Sequence, residues 1–492
     1  MVGNKKPREL YEITVPHTQT IVRAAWIALG LALVGAQIFL LDLSEDFEGA
    51  YRIPVPATLR LVALGITAGV LFLTLPLLIR RTVKAPALFF WMLGAGLAMR
   101  LVLLPSTPIL EDDYHRYFLD GAVVALGHNP YQYAPSDLSK GAAPEITAQL
   151  GPRASDVLER INHPEIRSIY PGLAQVFFAG SHGLMPFSLE TWRGVLLLAD
   201  MVSMALLLVL LKSLGRGPFW AALFWWNPLL VKELINAAHM DGLLLPFLIG
   251  ALLLLLRRRH WLANFALACA AGVKLWPIVL WPFFLRPYFE KQGDEKQGFK
   301  THGAFFLAVL FFAVPFGLFL LPQLLAGLDE GAGLVAYGRQ WEMNDALFPL
   351  VLGFAKGMLA PFSFSGLAPD VARGLVLFAV LGASFWLARG RGDATICCGM
   401  LLVTALLFLL SPAVFPWYYA WLLPFLVLCP RLSLLVLTAT LPLYSLRFVF
   451  ADAGFADLFD SWIVWVEVGP VLALFAWEMR GRWQKKRGFH AA

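Results

Sequence analysis

The stretch "PALFFWMLGAGLAMRLVLLPSTPILEDDYHRYFLD", residues 86–120, runs from a long apolar segment straight into three consecutive acids, Glu111, Asp112 and Asp113. A helix needs about 20 mostly apolar residues to cross the hydrocarbon core of a bilayer, and residues 86–104 satisfy that length. The pattern repeats along the chain. Of its 492 residues 59% are hydrophobic and only 15% charged, and the mean hydropathy is +0.68. A water-soluble fold of that composition would expose far too much apolar surface, so the chain reads as an integral membrane protein. Further spans are expected near 24–43, 57–79, 191–211, 303–321, 367–388, 396–410 and 462–478. Shorter apolar stretches, interrupted by Pro, Gly or Lys, fill 219–286 and 418–446, which predicts broken or paired short helices around an internal cavity. The expected fold is an all-α polytopic bundle of roughly 12–14 spans by the length rule.

Basic residues in short loops stay on the cytoplasmic side. The clusters are Lys5, Lys6 and Arg8; Arg80, Arg81 and Lys84; Arg257, Arg258 and Arg259; Arg389 and Arg391; and the tail "MRGRWQKKRGF". Placing all of them inside is self-consistent: both termini are then cytoplasmic and the loop from Pro105 is external. The chain divides into a tail and three spans at 1–104, an external loop at 105–171, a bundle with broken helices and external loops at 172–479, and a basic tail at 480–492. The first apolar segment follows a charged tail and lacks a small-residue cleavage site, so an uncleaved span is expected. The net charge of +6 reports topology and attraction to anionic lipid, with no nucleic-acid partner implied. Cys269, Cys397, Cys398 and Cys429 all lie in apolar stretches, and neither a disulfide framework nor a metal site is expected. The segment "EKQGDEKQGFK" at 290–300 reads as a solvated cytoplasmic connector.

The segment from Pro105 to Pro171 is the one long polar stretch, and long loops on a rigid scaffold are where function concentrates. Its first part is helical in pattern. Asp113, Arg116 and Asp120 share one face, while Tyr114, Phe118, Ala122 and Ala125 share another, which predicts an interfacial helix wet on one side. "GHNPYQYAP", with Asn129 and Tyr131, ends it at a turn. The middle, "SDLSKGAAPEITAQLGPRASDVLER", reads as ordinary soluble surface, and "INHPEIRSIYPGLAQVFFAG" then gathers Asn162, His163, Glu165, Arg167 and Tyr170. Three acids in a row can be no more than a helix N-terminus favoured by the dipole.

Other polar groups fall on the same side by this topology. Asn236, His239 and Asp241 interrupt one apolar region, and Lys274 stands in "AGVKLWP" between two apolar halves. Trp341, Asn344 and Asp345 come from "GRQWEMNDALFP", and Trp417, Tyr418 and Tyr419 from "SPAVFPWYYAWLLP". Ionisable groups at membrane depth are expensive and mark a substrate path. Blander readings stand beside each: a snorkelling Lys274, a packing role for His239, and interfacial anchoring by the aromatics.

The blocks "EDDYHRYFLDG", "GHNPYQYAP", "INHPE" and "IYPGLAQ" resemble the first external loop of the GT-C superfamily. These multi-pass glycosyltransferases take sugar from a polyprenol-phosphate carrier. The nearest likeness is to prokaryotic mannosyltransferase-like proteins related to the catalytic subunit of GPI mannosyltransferase I. It continues more weakly through "WWNPLLVKE", "AGVKLWPIVLWP", "RQWEMND" and "PAVFPWYYAWLLP". The resemblance implies a GT-C-type bundle whose catalytic carboxylate heads the loop, falling here on Glu111 and Asp113 with Asp112 between them; the first position is Glu where the family has Asp. It also implies a polyprenyl-phosphate-linked sugar donor, an acceptor hydroxyl on a glycan, glycolipid or protein, and work beside membrane lipid.

Chemistry agrees with one base. A lipid-phosphate leaves without protonation, so a single carboxylate toward the acceptor hydroxyl suffices, with Asp113 expected in that role. A cation is needed where charge develops on the phosphate, for which Lys274 and Arg167 are candidates. Tyr131, Trp341 and Tyr418 can stack on sugar faces. Arg116, Asp120, Asn129, Asn162, His163, Glu165, Tyr170, His239, Asp241, Asn344 and Asp345 complete the expected substrate-binding set. No cofactor is expected to be required, though adjacent acids also suit Mg²⁺ or Mn²⁺. The competing reading is a lipid or glycolipid transporter or flippase, which shares the broken helices; another keeps the fold but changes the carrier-linked sugar. The expected location is a bacterial inner membrane with the active face outward.

Overall fold

The computed structural model describes residues 8–49, 52–83, 85–288 and 298–488. Lys5, Lys6, Lys84, the connector at 290–297 and the last four residues of the basic tail lie outside the described residues. The described chain is helical throughout, with an isolated bridge between Met343 and Ala413. It is a polytopic helical membrane protein. Nine of its described helices are long and apolar enough to cross a bilayer, and the eight segments read above as clear spans all fall among them. The ninth, Leu432–Asp452, lies in one of the interrupted regions.

The count of spans falls short of the expected 12–14: nine, or ten if a bent pair is one span. The difference sits in the broken regions. Pro228–Asn236 and Met240–Leu256 meet at 105°. The first begins where the Asn227 side chain accepts from Leu230 N at 2.9 Å, with Pro228 supplying no amide of its own. It winds into a π turn over Lys232–Asn236 and breaks at Ala238, whose φ is 58°. The His260–Val273 helix stops at an extended Lys274, and Pro277 and Pro282 keep the return, Trp276–Leu285, in short turns. Pro416–Trp421 is likewise a 3₁₀ turn leading into the short Leu423–Leu428 helix. Apolar composition is kept through these pieces while helix length is lost.

Cys398 and Cys429 are joined in a disulfide with a Cα–Cα distance of 5.6 Å, correcting the expectation of no pairing. Cys398 lies in the Asp393–Leu410 helix and Cys429 ends Leu423–Leu428. Two apolar stretches 31 residues apart in sequence are thus brought side by side, which spacing alone does not reveal. Cys269 and Cys397 are free and buried.

One polar pair ties two spans together inside the bundle. Arg100 and Asp200, both nearly inaccessible, form an ion pair between two spans. The Arg100 guanidinium also donates to the Gly96 and Trp225 carbonyls at 2.8 and 2.7 Å and lies 3.6 Å over the Trp225 ring. A Cβ on Gly96 would meet that ring at 2.1 Å, so the close approach needs glycine.

The loop at 105–171 is less wet than its sequence suggested. The Tyr114–Ala125 helix packs on Gly172–Leu184, and Arg116 and Asp120 are only 8% and 3% exposed. The stretch read as soluble surface forms three short helices, Pro135–Ser139, Pro144–Leu150 and Arg153–Arg160. Their inner residues, among them Leu138, Ile146, Leu150 and Val157, close over Leu119 and Val123 as a small second core. The interfacial helix is therefore covered on both sides.

Removing one partner of a buried ion pair strands the other charge, at a cost of about 3–5 kcal/mol, whereas an apolar replacement of both is often tolerated. Asp200→Ala is expected to lower the thermal midpoint of the detergent-purified protein sharply, and Arg100→Met/Asp200→Leu to recover most of the loss.

Candidate active site

The acids at 111–113 owe their position to Asn236. Its carboxamide oxygen accepts from Ile109 N at 3.2 Å, and its nitrogen donates to Ser106 Oγ at 2.9 Å and Thr107 O at 2.7 Å. Arg193 adds donations to the Leu104, Ser106 and Asn236 carbonyls. The end of the Pro86–Leu103 span is thereby locked to the broken helix. Leu110, the residue before the acids, is held at φ 63°, a costly conformation for a branched side chain.

The acids open into a cavity of about 600 Å³ at the junction of the 105–171 loop and the bundle. Asp113 stands at the N-cap of the Tyr114–Ala125 helix, yet its side chain caps nothing. Asn162 Nδ2 instead donates to Asp112 Oδ1 at 2.7 Å and Asp113 Oδ1 at 3.1 Å. This argues against the plain helix-terminus reading. Burial among low-dielectric walls is the first cause that raises all three carboxyls, Glu111 well above the usual range and Asp112 to about 6. For Asp112 the Asp113 charge adds to it, while the Asn162 hydrogen bond pulls both Asp112 and Asp113 back down.

Across the cavity Lys274 faces inward and does not snorkel. Its ammonium donates to both Asp241 oxygens at 2.8 and 2.9 Å, and Trp421 Nε1 donates to the same carboxylate at 2.6 Å. The ammonium lies 4.1 Å from the Tyr418 ring. Tyr418 stacks on Trp421 at 4.1 Å and Trp421 on Trp276 at 5.0 Å, which makes an aromatic wall. The Tyr418 hydroxyl pairs with that of Tyr337 at 2.7 Å. Near the acids His163 packs 4.7 Å from Trp341.

Twelve expected site residues line this cavity: Glu111, Asp112, Asp113, Arg116, Asn162, His163, Arg167, Tyr170, Asp241, Lys274, Trp341 and Tyr418. Two of their cations are already committed. Arg116 donates to the His163 and Ile166 carbonyls, and Arg167 holds Asp329 at 2.5 Å along with the Ala326 carbonyl. Both act as struts of the loop.

The remaining seven lie outside the lining. Asp120 accepts from Ser168 and Gln175 behind the helix. Asn129 donates to Pro322 O, and the Tyr131 hydroxyl donates to Tyr170 O, bracing the wall from outside. Glu165 is exposed beside His163. His239 is buried behind Asp113, against Trp417. Asn344 donates to Val414 O and to Glu467. Asp345, raised to about 7 chiefly by burial and then by Glu342 and Asp460, stands apart from the cavity. Short polar side chains beside a loop face either way, and spacing alone does not tell which.

Sequence reasoning passed over Tyr117, Trp276, Tyr337, Trp421, Tyr444 and Arg447, all in the lining. Arg447 carried a legible signal, an ionisable residue inside the apolar run "LPLYSLRFVF". Among the described residues no group of three or more His, Cys, Asp or Glu is placed to hold a metal ion.

Fold and site together define a helical membrane protein with an acid-bearing cavity at its boundary. Residues 173–288 match the family model of the alpha-(1->6)-mannopyranosyltransferase N-terminal domain, the MptA_B family. Over that stretch, which includes Asp241 and Lys274, the chain is similar to that family. No curated protein and no solved structure matches the chain.

Asn162 favours the ionised carboxylates, so Asn162→Ala is expected to move the titration of Asp112 and Asp113 to higher pH. Difference infrared spectra of the carboxyl stretch should show more protonated acid at neutral pH in the variant than in the wild type.

Proposed function

We propose that the chain is a membrane glycosyltransferase of GT-C type. It moves a sugar from a polyprenyl-phosphate carrier to an acceptor hydroxyl on the non-cytoplasmic face. The observation that carries this reading is the cavity itself, whose lining gathers Asp113 and its neighbours with Lys274, Arg447 and an aromatic wall. The mannosyltransferase match supports the reaction class and favours mannose.

In the proposed reaction the acceptor oxygen attacks the anomeric carbon from the face opposite the phosphate. The carbon–oxygen bond to the phosphate breaks, its electron pair leaving on the phosphate oxygen, and Asp113 takes the acceptor proton. Inversion follows, so an α-linked product requires a β-linked donor. Arg447 and Lys274 meet the charge that develops on the phosphate, the interaction that contributes most when donors are preorganised in a dry site. The Tyr418 and Trp421 faces suit a pyranose ring. Asp112 and Glu111 support the base, and the acceptor is a glycan, glycolipid or protein hydroxyl. Two cations in the lining suffice for the phosphate, so no metal is required on this reading. The proposed location is a bacterial inner membrane with the cavity facing outward.

Transfer of radiolabelled mannose from polyprenyl-phosphate-mannose into membrane lipid by the purified protein tests this, with the glucose analogue in parallel. Asp113→Asn is expected to lower kcat by about 10²–10⁴-fold, the range of general-base loss, and EDTA to leave wild-type transfer unchanged. Activity should fall as pH drops, with the acid limb above the range of an ordinary aspartate because burial raises Asp112 and Asp113. No transfer from either donor, with lipid flipping intact, would favour the transporter instead.

A further inference from the structure

Behind Asp113, outside the cavity, stand two groups that the proposed reaction leaves unused. His239 is fully buried. Its Nδ1 lies 3.7 Å from Asp113 Oδ2 and its Nε2 3.8 Å from Glu233 Oε2. Among the described residues neither ring nitrogen has a hydrogen-bond partner, nor has Glu233 Oε2. Buried polar atoms left in that state are costly and call for an explanation.

The backbone is bent to create this line. On a regular helix residues six apart point roughly 120° away from each other. Here the π turn over Lys232–Asn236 and the left-handed Ala238 bring His239 back over Glu233, with His239 N donating to Glu233 O at 3.1 Å. π turns and strained residues gather at functional sites. The imidazole is fixed by Trp417, stacked at 3.7 Å with planes 16° apart. Both nitrogen–carboxylate gaps exceed hydrogen-bond length by a few tenths of an ångström, which a small carboxylate rotation closes.

Lys232 Nζ lies 3.1 Å from Glu233 Oε1, and both residues line a second cavity of about 50 Å³ with Gln37 and Ser445. The Gln37 carboxamide oxygen, also buried, has no partner among the described residues. The rest of that lining is apolar. The line from the acid cavity thus passes through one imidazole and ends at Glu233, beside a small second cavity.

We propose that His239 and Glu233 form a proton relay that draws the acceptor proton off Asp113 at each transfer. This rests on the reading of Asp113 as the base. After transfer Asp113 carries the acceptor proton. The Asp113 carboxyl O–H bond breaks as a new N–H bond forms at His239 Nδ1. The proton on Nε2 passes at the same time to Glu233 Oε2, so the imidazole ends neutral in its other tautomer. Glu233 keeps the proton until the products have left; the shift then runs back through the imidazole, Asp113 gives the proton to solvent in the emptied cavity, and all three groups return to their first states. His239 and Glu233 touch no substrate and act through Asp113.

Steady-state transfer from polyprenyl-phosphate-mannose by full-length His239→Phe, Glu233→Gln and Asp113→Asn tests this. Phenylalanine keeps a ring against Trp417 but has no nitrogen. The relay predicts about a 10²-fold fall in kcat for His239→Phe and a fall of the same kind for the isosteric Glu233→Gln, with the donor KM unchanged in both. A packing role predicts wild-type kcat in both, or a rise in KM with kcat kept, and either result overturns the relay. Should His239→Phe fail to fold, Glu233→Gln decides alone. Should Asp113→Asn remain active, the base assignment falls; should it be inactive while the other two are normal, only the relay falls.

Discussion

The Asn236 carboxamide is the interaction on which the cavity depends. In a bilayer no water satisfies the backbone of a broken helix, so irregular chain is tolerated only where protein groups complete it. Asn236 does so for the Thr107 carbonyl and the Ile109 amide and also holds the Ser106 hydroxyl, and Arg193 completes the carbonyls of Leu104, Ser106 and Asn236 itself. One side chain thus joins the end of a membrane span, the break of a second element and the start of the 105–171 loop. The acids follow within a few residues and have little freedom to sit elsewhere.

The long spans were legible because hydrocarbon imposes a simple rule of length and hydropathy, and the eight clearest segments all proved to be such helices. The broken regions were legible as broken, since Pro, Gly and Lys interrupt them, but their number of crossings was not. An apolar residue in a 3₁₀ turn such as Pro416–Trp421 looks the same in sequence as one in a helix. The acid cluster was found because charge beside a span is conspicuous. The faces of Asn129, Tyr131, Asn344 and Asp345 were not, because a polar residue near a loop carries no periodicity to orient it. Arg116 and Asp120 show the opposite error. Their helical spacing was read correctly, but the three short helices that cover them come from a stretch whose polar composition hid its few inward apolar residues.

The pairing of Lys274 with Asp241 bears on how the cavity could treat an anion. A lysine held by both oxygens of a carboxylate, with an indole N–H on the same group, presents little net charge. The carboxylate and the Tyr418 face fix the ammonium's direction. Such a cation is a positioned donor more than an attractor of anions. Arg447 is a second cation in the same lining. A donor phosphate on the proposed reading would be oriented by one and drawn by the other.

On the proposed reading the same arrangement makes base and leaving group help each other. Like charges in a low-dielectric space raise a carboxylate's proton affinity, and Asp113 already lies near Asp112 and Asp241 with burial adding to the effect. A phosphate seated opposite would push further in that direction, so the carboxylate would be a better base while the donor is intact and bound. Once phosphate departs, that push is withdrawn and Asp113 becomes more acidic, which favours loss of the proton it has taken. On that reading a cavity that gathers acids around the reacting point, at evident electrostatic cost, has a chemical rationale: repulsion strengthens the base while phosphate is bound and relaxes once it leaves.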